Sequence, residues 1–138
     1  MSYHSKTCHR FMEYMLSNFK IDKPVHLELK DEIMFTTFDY NNKLTTISVQ
    51  GTAEALPDRY EVKLSLKKNK SRSSLLSALS HELGHVVQFS EGRYLDPGID
   101  YTYEIEAFKI GRPFHRSYLK AYYPKTYYAY FANWENQC

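Results

Sequence analysis

The run His81-Glu82-Leu83-Gly84-His85 has the residue types and the spacing of a metal-dependent hydrolytic site. Residues four positions apart stack on one face of an α-helix, so the imidazoles of His81 and His85 can bind the same divalent ion. Glu82 follows the first histidine and can reach a water molecule on that ion, which suits a general base. We therefore expect one zinc ion, two histidine ligands and a catalytic glutamate.

The motif is predicted to lie on a largely buried helix from about residue 72 to residue 90. Serines at 71, 73 and 74 offer N-caps just before Leu75, and Gly92 offers a stop after the helix. Two histidines and a glutamate on a buried helix are costly unless they are paired or coordinated, which favours a metal site over a solvated surface pair. The apolar face of this helix comprises Leu75, Leu79, Leu83, Val86 and Val87.

A catalytic zinc ion takes three protein ligands and keeps one position for water, so a third ligand must come from elsewhere. The next predicted helix, residues 101–111, contains Glu104 and Glu106, whose side chains point about 200° apart, so only one can face the ion. We predict Glu106 as the ligand, since Ala107 beside it allows the two helices to approach closely, and keep Glu104 as the alternative. Asp96 and Asp100 are further candidates, but their places near a Pro-Gly turn and a helix start favour capping.

The histidine run together with the later pair Glu106-Ala107 resembles the gluzincin class of metallopeptidases. Thermolysin-like enzymes have their zinc glutamate in a similar Glu-Ala context on a following helix. Among small members the chain is most similar to the ImmA/IrrE type, a minimal zincin, although Ile110-Gly111 stands where that type usually has a phenylalanine-alanine pair. The resemblance covers roughly residues 60–112.

The resemblance implies a zinc metallopeptidase that hydrolyses peptide bonds in a specific intracellular protein, such as a transcriptional repressor or a toxin-system partner. Such an enzyme needs a hydrogen-bond donor for the oxyanion that forms during hydrolysis. We predict Tyr103, because it precedes Glu106 by three residues and shares its helical face. Tyr101, Arg112 and His115 are the alternatives.

The order of elements predicts an α+β fold in a single domain, residues 1–138, with the layout of a minimal zincin. It would have an N-terminal helix, a three- to four-stranded mostly antiparallel sheet, a metal-binding helix, a ligand helix and C-terminal aromatic helices. We expect either strand 60–67 or hairpin strand 43–50 to supply a sheet edge that pairs with extended peptide. The remaining predictions are a helix over 5–19, a strand at 25–29, a hairpin over 33–49, a loop over 51–59, a new helix from Pro113 to Pro124 and an aromatic helix over 127–134.

The composition of the chain limits the partners and the cellular setting that we expect for it. The net charge of +2 implies no strong polyanion partner, and the basic run 67–72 is typical of a solvated loop, so we do not expect nucleic-acid binding. Cys8 and Cys138 do not make a disulfide framework. Without an apolar export segment at the N-terminus or an apolar stretch of about 18 residues, we expect a reduced, cytoplasmic setting and no membrane partner.

Two other functions compete with the peptidase. A deformylase-like hydrolase would need a cysteine ligand, and no cysteine lies between Cys8 and Cys138. A non-enzymatic zincin-like domain would hold a structural metal and bind a protein partner through its aromatic surface. A structural zinc site is closed by four protein ligands, whereas a catalytic one keeps water, so the coordination separates the two.

Overall fold

The computed structural model describes residues 3–93 and 101–137, with the backbone alone for Tyr3, Tyr130 and 132–137. The described elements form an α+β fold with an N-terminal helix, as the sequence predicts. In chain order they are α1 (Tyr3–Leu16), β1 (Val25–Lys30), β2 (Ile33–Phe38), β3 (Leu44–Val49), β4 (Gly51–Ala55), β5 (Tyr60–Ser65), α2 (Arg72–Ser90), α3 (Tyr101–Tyr122) and α4 (Pro124–Gln137).

The main sheet has three strands in the order β1-β5-β4. Strand β5 is central: it pairs in parallel with β1, with Tyr60 opposite Val25, and antiparallel with β4, with Leu64 opposite Gly51. The expectation that 60–67 supplies a free edge is therefore wrong, because backbone groups of β5 are used on both sides. Among the described strands, β4 lies at one edge of this sheet.

Strand β4 occupies a segment that the sequence analysis interprets as a loop. Its residues Gly51–Ala55 include glycine and alanine, which have low intrinsic strand preference, and Pro57-Asp58 follows them as a turn signal. The backbone of this segment pairs with the buried strand β5, and this pairing overrides the low strand preference of its residues. Strand β4 passes beside α2.

The hairpin predicted over 33–49 is confirmed as a separate two-stranded sheet of β2 and β3. Its turn uses Asn42 at a φ of 63°, a left-handed conformation that asparagine tolerates well. The Asp39 carboxylate accepts hydrogen bonds from the Asn41 and Lys43 amides at 2.9 and 3.0 Å. Much of the apolar surface of the hairpin is exposed, including Met34, Phe35, Phe38, Leu44 and Ile47.

Helix α2 begins and ends where the sequence predicts. The Ser71 hydroxyl accepts a hydrogen bond from the Ser74 amide at 3.0 Å, which caps the N-terminus. At the other end Gly92 has a φ of 72°, its amide donates to the Phe89 carbonyl at 3.0 Å, and the Arg93 amide donates to Gln88 at 2.9 Å. This glycine-based stop leaves the histidine run in the middle of a rigid, mostly buried helix.

Helix α3 is one helix of 22 residues that continues through Pro113, so the prediction of a break and a new helix there is wrong. Proline removes one backbone hydrogen bond and disfavours a helix interior. Burial on both sides of the proline opposes that cost, since Gly111 before it and Tyr118 and Leu119 after it all lie in the interior. The continuity places both predicted ligand candidates and His115 on one rigid element.

The core lies between the main sheet and the helices. Helix α1 contributes Cys8, Phe11 and Met15, and the predicted stripe of that helix is therefore a packing face. Burial raises the pKa of the Cys8 thiol to about 12, so this thiol is inert as a nucleophile or ligand. Within the described part of the chain, no helix combines the length and apolarity needed to cross a bilayer.

Candidate metal centre

Two close contacts hold α3 against α2 in antiparallel register. A Cβ atom added at Gly84 would collide with the backbone of Ala107, lying 2.9 Å from its Cα, and one added at Gly111 would lie 2.6 Å from the Ser80 carbonyl carbon. The contacts Ser80–Gly111 and Gly84–Ala107 advance by four residues in opposite directions along the two helices. Only glycine allows this approach, and it brings the histidine turn of α2 against the first turns of α3.

Three donor groups converge where the two helices meet. Oε2 of Glu104 lies 2.8 Å from Nε2 of His81 and 3.3 Å from Nε2 of His85, and its Oε1 lies 3.2 Å from the latter nitrogen. All three donor atoms lie within 4.8 Å of one another. Ligands at about 2.0–2.2 Å from a tetrahedral ion lie roughly 3.3–3.6 Å apart, so a small opening of this cluster would admit a metal ion. Glutamate oxygen and imidazole nitrogen suit zinc and several other divalent metals.

The third member of the cluster is Glu104, the alternative in the sequence analysis, and not Glu106, the predicted ligand. The Glu106 carboxylate accepts hydrogen bonds from Gln88 Nε2 at 2.9 Å and from the Arg93 guanidinium. The Gln88 hydrogen bond outweighs the opposing effect of burial and, with a further contribution from Arg93, holds the pKa of Glu106 below its usual range. Glu106 is thus a carboxylate paired with Arg93, and Gln88 connects it to His85.

The His81 ring packs against an aromatic ring of α3. It lies over Phe108 at a centroid distance of 3.9 Å, and its Nδ1 is buried with no hydrogen-bond partner among the described residues. Burial, followed by the neighbouring His85, lowers the pKa of His81, while Glu104 opposes the shift. Both causes favour a neutral imidazole, which is the form that binds a metal ion.

Glu82 is buried beside the cluster, with 8% of its surface exposed. A Cβ atom on Gly51 would lie 3.1 Å from its Cγ, so the glutamate sits beneath the first residue of β4. Burial, and then the charge of Glu104, raises the pKa of Glu82 to about 8. The pKa of Glu82 thus depends on the charge of the cluster, and a cation bound there would favour the ionised form of Glu82.

The candidates for an oxyanion donor are spread along α3. Tyr103 is half-buried one residue before Glu104, so the argument that it shares a face with the ligand no longer applies, and its role stays a prediction. Tyr101 is exposed. His115 lies away from the cluster, with a hydrogen bond to the Ser73 backbone and its ring 5.4 Å from that of Phe131. The aspartate alternatives Asp96 and Asp100 lie outside the described residues.

Three residues around the cluster escape the sequence analysis. Gln88 lies three residues after His85 on the same helical face, a spacing that indicates a contact, and its Oε1 is 2.8 Å from Nδ1 of His85. Phe108 and Arg93 have no comparable signal, because their partners lie on another helix or beyond a turn. Helical spacing alone therefore finds Gln88 and misses the other two.

Comparison with known proteins finds no matching family model, no similar curated protein and no similar solved structure. The function must therefore be argued from this cluster and its surroundings.

Proposed function

We propose that this protein is a zinc-dependent metallopeptidase that hydrolyses peptide bonds in a protein substrate. The observation that supports it best is the convergence of His81, His85 and Glu104 within 4.8 Å, with the buried Glu82 beside them. Two imidazoles and one carboxylate form the ligand set of a catalytic zinc site with an open position. The peptidase class rests on this donor set and on the resemblance of the motif.

Each side chain has a distinct task in the proposed reaction. His81, His85 and Glu104 would hold the ion; when bound, zinc acidifies water and polarises a carbonyl. Glu82 would accept the proton of the attacking water and pass it to the departing amine nitrogen as the peptide bond breaks. Burial raises the pKa of Glu82 to about 8 in the metal-free protein, and a bound cation would lower it again, so Glu82 would be a carboxylate able to accept the proton once the ion is held.

Strand β4 is the best placed element to align an extended peptide. It lies at the described edge of the main sheet, and its first residue, Gly51, contacts Glu82. A peptide that pairs with β4 through its backbone would run past the general base and the cluster. This assignment replaces β5, which is paired on both sides, while a role for the hairpin strand β3 stays a prediction.

The competing function is a non-enzymatic metal-binding domain that recognises a partner through its aromatic surface. A structural site of that kind would be closed by a fourth protein ligand. In the described part of the chain the cluster contains three side chains, which leaves room for water. A buried glutamate next to the ligands is also costly and has no purpose in a structural site.

The test combines metal analysis with a proteome-wide cleavage screen. The purified wild-type protein and the Glu82→Gln variant are each analysed for bound metal and incubated with a native protein mixture whose new N-termini are then identified. We expect both to retain about one equivalent of zinc and only the wild type to generate new termini. Glu28→Gln, the same chemical change on an exposed face of β1, is the matched control and should cleave normally.

A Glu82→Gln variant with full activity would remove the general base from the proposal. Zinc bound by four protein ligands, or wild-type protein that generates no new termini, would favour the non-enzymatic function instead.

A further inference from the structure

Gln88 is fully buried between the two helices, and every hydrogen-bonding group of its amide has a partner. Its Nε2 donates to the Tyr103 carbonyl oxygen and to Glu106 Oε1, both at 2.9 Å. Its Oε1 lies 2.8 Å from Nδ1 of His85. An amide has two N–H donors, and both are used on acceptors of α3.

These partners determine which way the amide faces. The Tyr103 carbonyl and the Glu106 carboxylate can only accept, so a flipped amide would set its oxygen against two other oxygens. The Oε1 atom therefore faces His85, and the only favourable contact there has Nδ1 of the imidazole as the donor. In a neutral imidazole the other nitrogen then has no hydrogen, so Nε2 presents a lone pair.

The lone pair on Nε2 of His85 is directed at the Glu104 carboxylate, whose two oxygens lie 3.2 and 3.3 Å away. Two groups that can only accept repel each other at this distance unless a proton or a metal cation lies between them. The hydrogen bond between Nδ1 of His85 and Gln88 thus leaves a lone pair on Nε2 that can bind a cation.

The amide is itself held in place from α3. Glu106 binds the Arg93 guanidinium, whose Nε also donates to Glu91 at 2.7 Å. This ion pair holds in place the acceptor on which Gln88 depends. The residue predicted as a ligand is therefore connected to the cluster through Gln88.

We propose that Gln88 is a positioning residue: it locks His85 in the Nδ1–H tautomer and so aims the Nε2 lone pair at the metal position. The inference rests on the proposed metal centre, but the tautomer is a property of the metal-free protein and can be measured without any activity. A ligand histidine usually donates its other N–H to a carboxylate, a carbonyl or water, and here a side-chain amide accepts that hydrogen bond.

The first measurement is ¹⁵N–¹H NMR of the histidine rings in metal-free protein at about pH 8, above the reference pKa of about 6.5 for an imidazole. We expect His85 of the wild type to be protonated at Nδ1. Gln88→Met keeps the length and most of the volume of the side chain but accepts no hydrogen bond, so the Nε2–H form should become populated. A wild-type His85 protonated mainly at Nε2 would overturn the proposal without touching the proposed enzymatic function.

The second measurement is zinc affinity, from competition with a chelator. We expect Gln88→Met to bind zinc about 10–100-fold more weakly, the usual cost of losing the hydrogen-bond partner of a ligand. Gln50→Met, the same replacement at an exposed position, should bind as the wild type does. Unchanged affinity in Gln88→Met would contradict the inference.

A double variant guards against the simple loss of packing. Gln88→Glu combined with Glu106→Gln exchanges the amide and the carboxylate, so an acceptor still faces His85 and a donor still faces position 88, while the Tyr103 carbonyl loses its donor. We expect this pair to restore the Nδ1–H tautomer relative to Gln88→Met, at some cost in stability. Failure of the pair to restore the tautomer while it folds normally would show that Gln88 only fills space.

Discussion

Ala107 packs directly against Gly84, and this contact decides which carboxylate of α3 faces the two histidines. At 100° per residue, Glu104 lies about 60° around the helix from Ala107 and one turn before it, whereas Glu106 lies about 100° away on the other side. Glu104 therefore enters the interface beside the histidine run. Glu106 is directed towards the C-terminal end of α2, where Arg93 pairs with it.

Glu104→Gln and Glu106→Gln should differ sharply in metal retention. We expect Glu104→Gln to weaken zinc binding by at least about 100-fold, because a ligand charge is lost, and Glu106→Gln by about 10-fold, because only the support of Gln88 is disturbed. Chelator competition on both proteins measures the difference. Equal losses, or a larger loss in Glu106→Gln, would return the ligand role to Glu106.

Gly84→Ala should lower both stability and metal affinity. The added methyl group meets backbone atoms of Ala107, which cannot rotate away, so α3 must shift; overpacking of this kind costs about 1–3 kcal/mol. Urea unfolding and zinc competition measure the two effects. Gly92→Ala is the control: its methyl group enters open space at a φ of 72°, so it should lose about 1 kcal/mol of stability and keep its zinc affinity. Unchanged zinc affinity in Gly84→Ala would show that zinc binding does not depend on the close approach of α2 and α3.

Phe108→Ala should weaken zinc binding about 2–10-fold, since an aromatic contact worth about 0.5–1.5 kcal/mol holds the His81 ring. Ile105→Ala is a matched control on the same helix, because both side chains are 55% exposed and lose similar packing. We expect Ile105→Ala to bind zinc normally in the same titration. Equal affinities in the two variants would show that Phe108 does not orient His81.

The buried His115 should make the protein less stable in mild acid. Burial, above all, lowers the pKa of His115 to about 4, below the unfolded value of about 6.5, so the unfolded chain takes up the proton first as the pH falls. The free energy of unfolding should be unaffected by this group above about pH 7. It should then decline between about pH 7 and pH 4 by roughly 3 kcal/mol at most.

Urea unfolding of metal-free wild type and His115→Gln over this pH range isolates the contribution of His115. The difference between the two proteins should be constant above about pH 7 and should move in favour of the variant as the pH falls. Parallel curves throughout would mean that His115 titrates alike in the folded and unfolded states.

The sequence predicts the local parts of this structure well. The bounds of α2 follow from Ser71 and Gly92, and the hairpin follows from alternating residues around Asn41-Asn42. What it misses depends on partners distant in the chain. Strand β4 forms because β5 lies beside it, and α3 continues through Pro113 because its burial extends beyond that residue.

The candidate site likewise has some residues that the local sequence predicts and others that depend on distant contacts. His81, Glu82 and His85 are fixed by spacing along one helix, and close packing at Ala107 is predicted correctly from its small size. The choice between Glu104 and Glu106 depends on how α3 is rotated about its axis. That rotation is set by the contacts at Gly84 and Gly111, which no local pattern in α3 reveals.

Side-chain hydrogen bonds tie the last turn of α2 and the residues after it to the first turns of α3. Gln88 binds the Tyr103 carbonyl, and Arg93 binds Glu106. The spacing between His85 and Glu104 is therefore a property of the two helices together, so a protein engineer would have to transplant them as a pair and not one at a time.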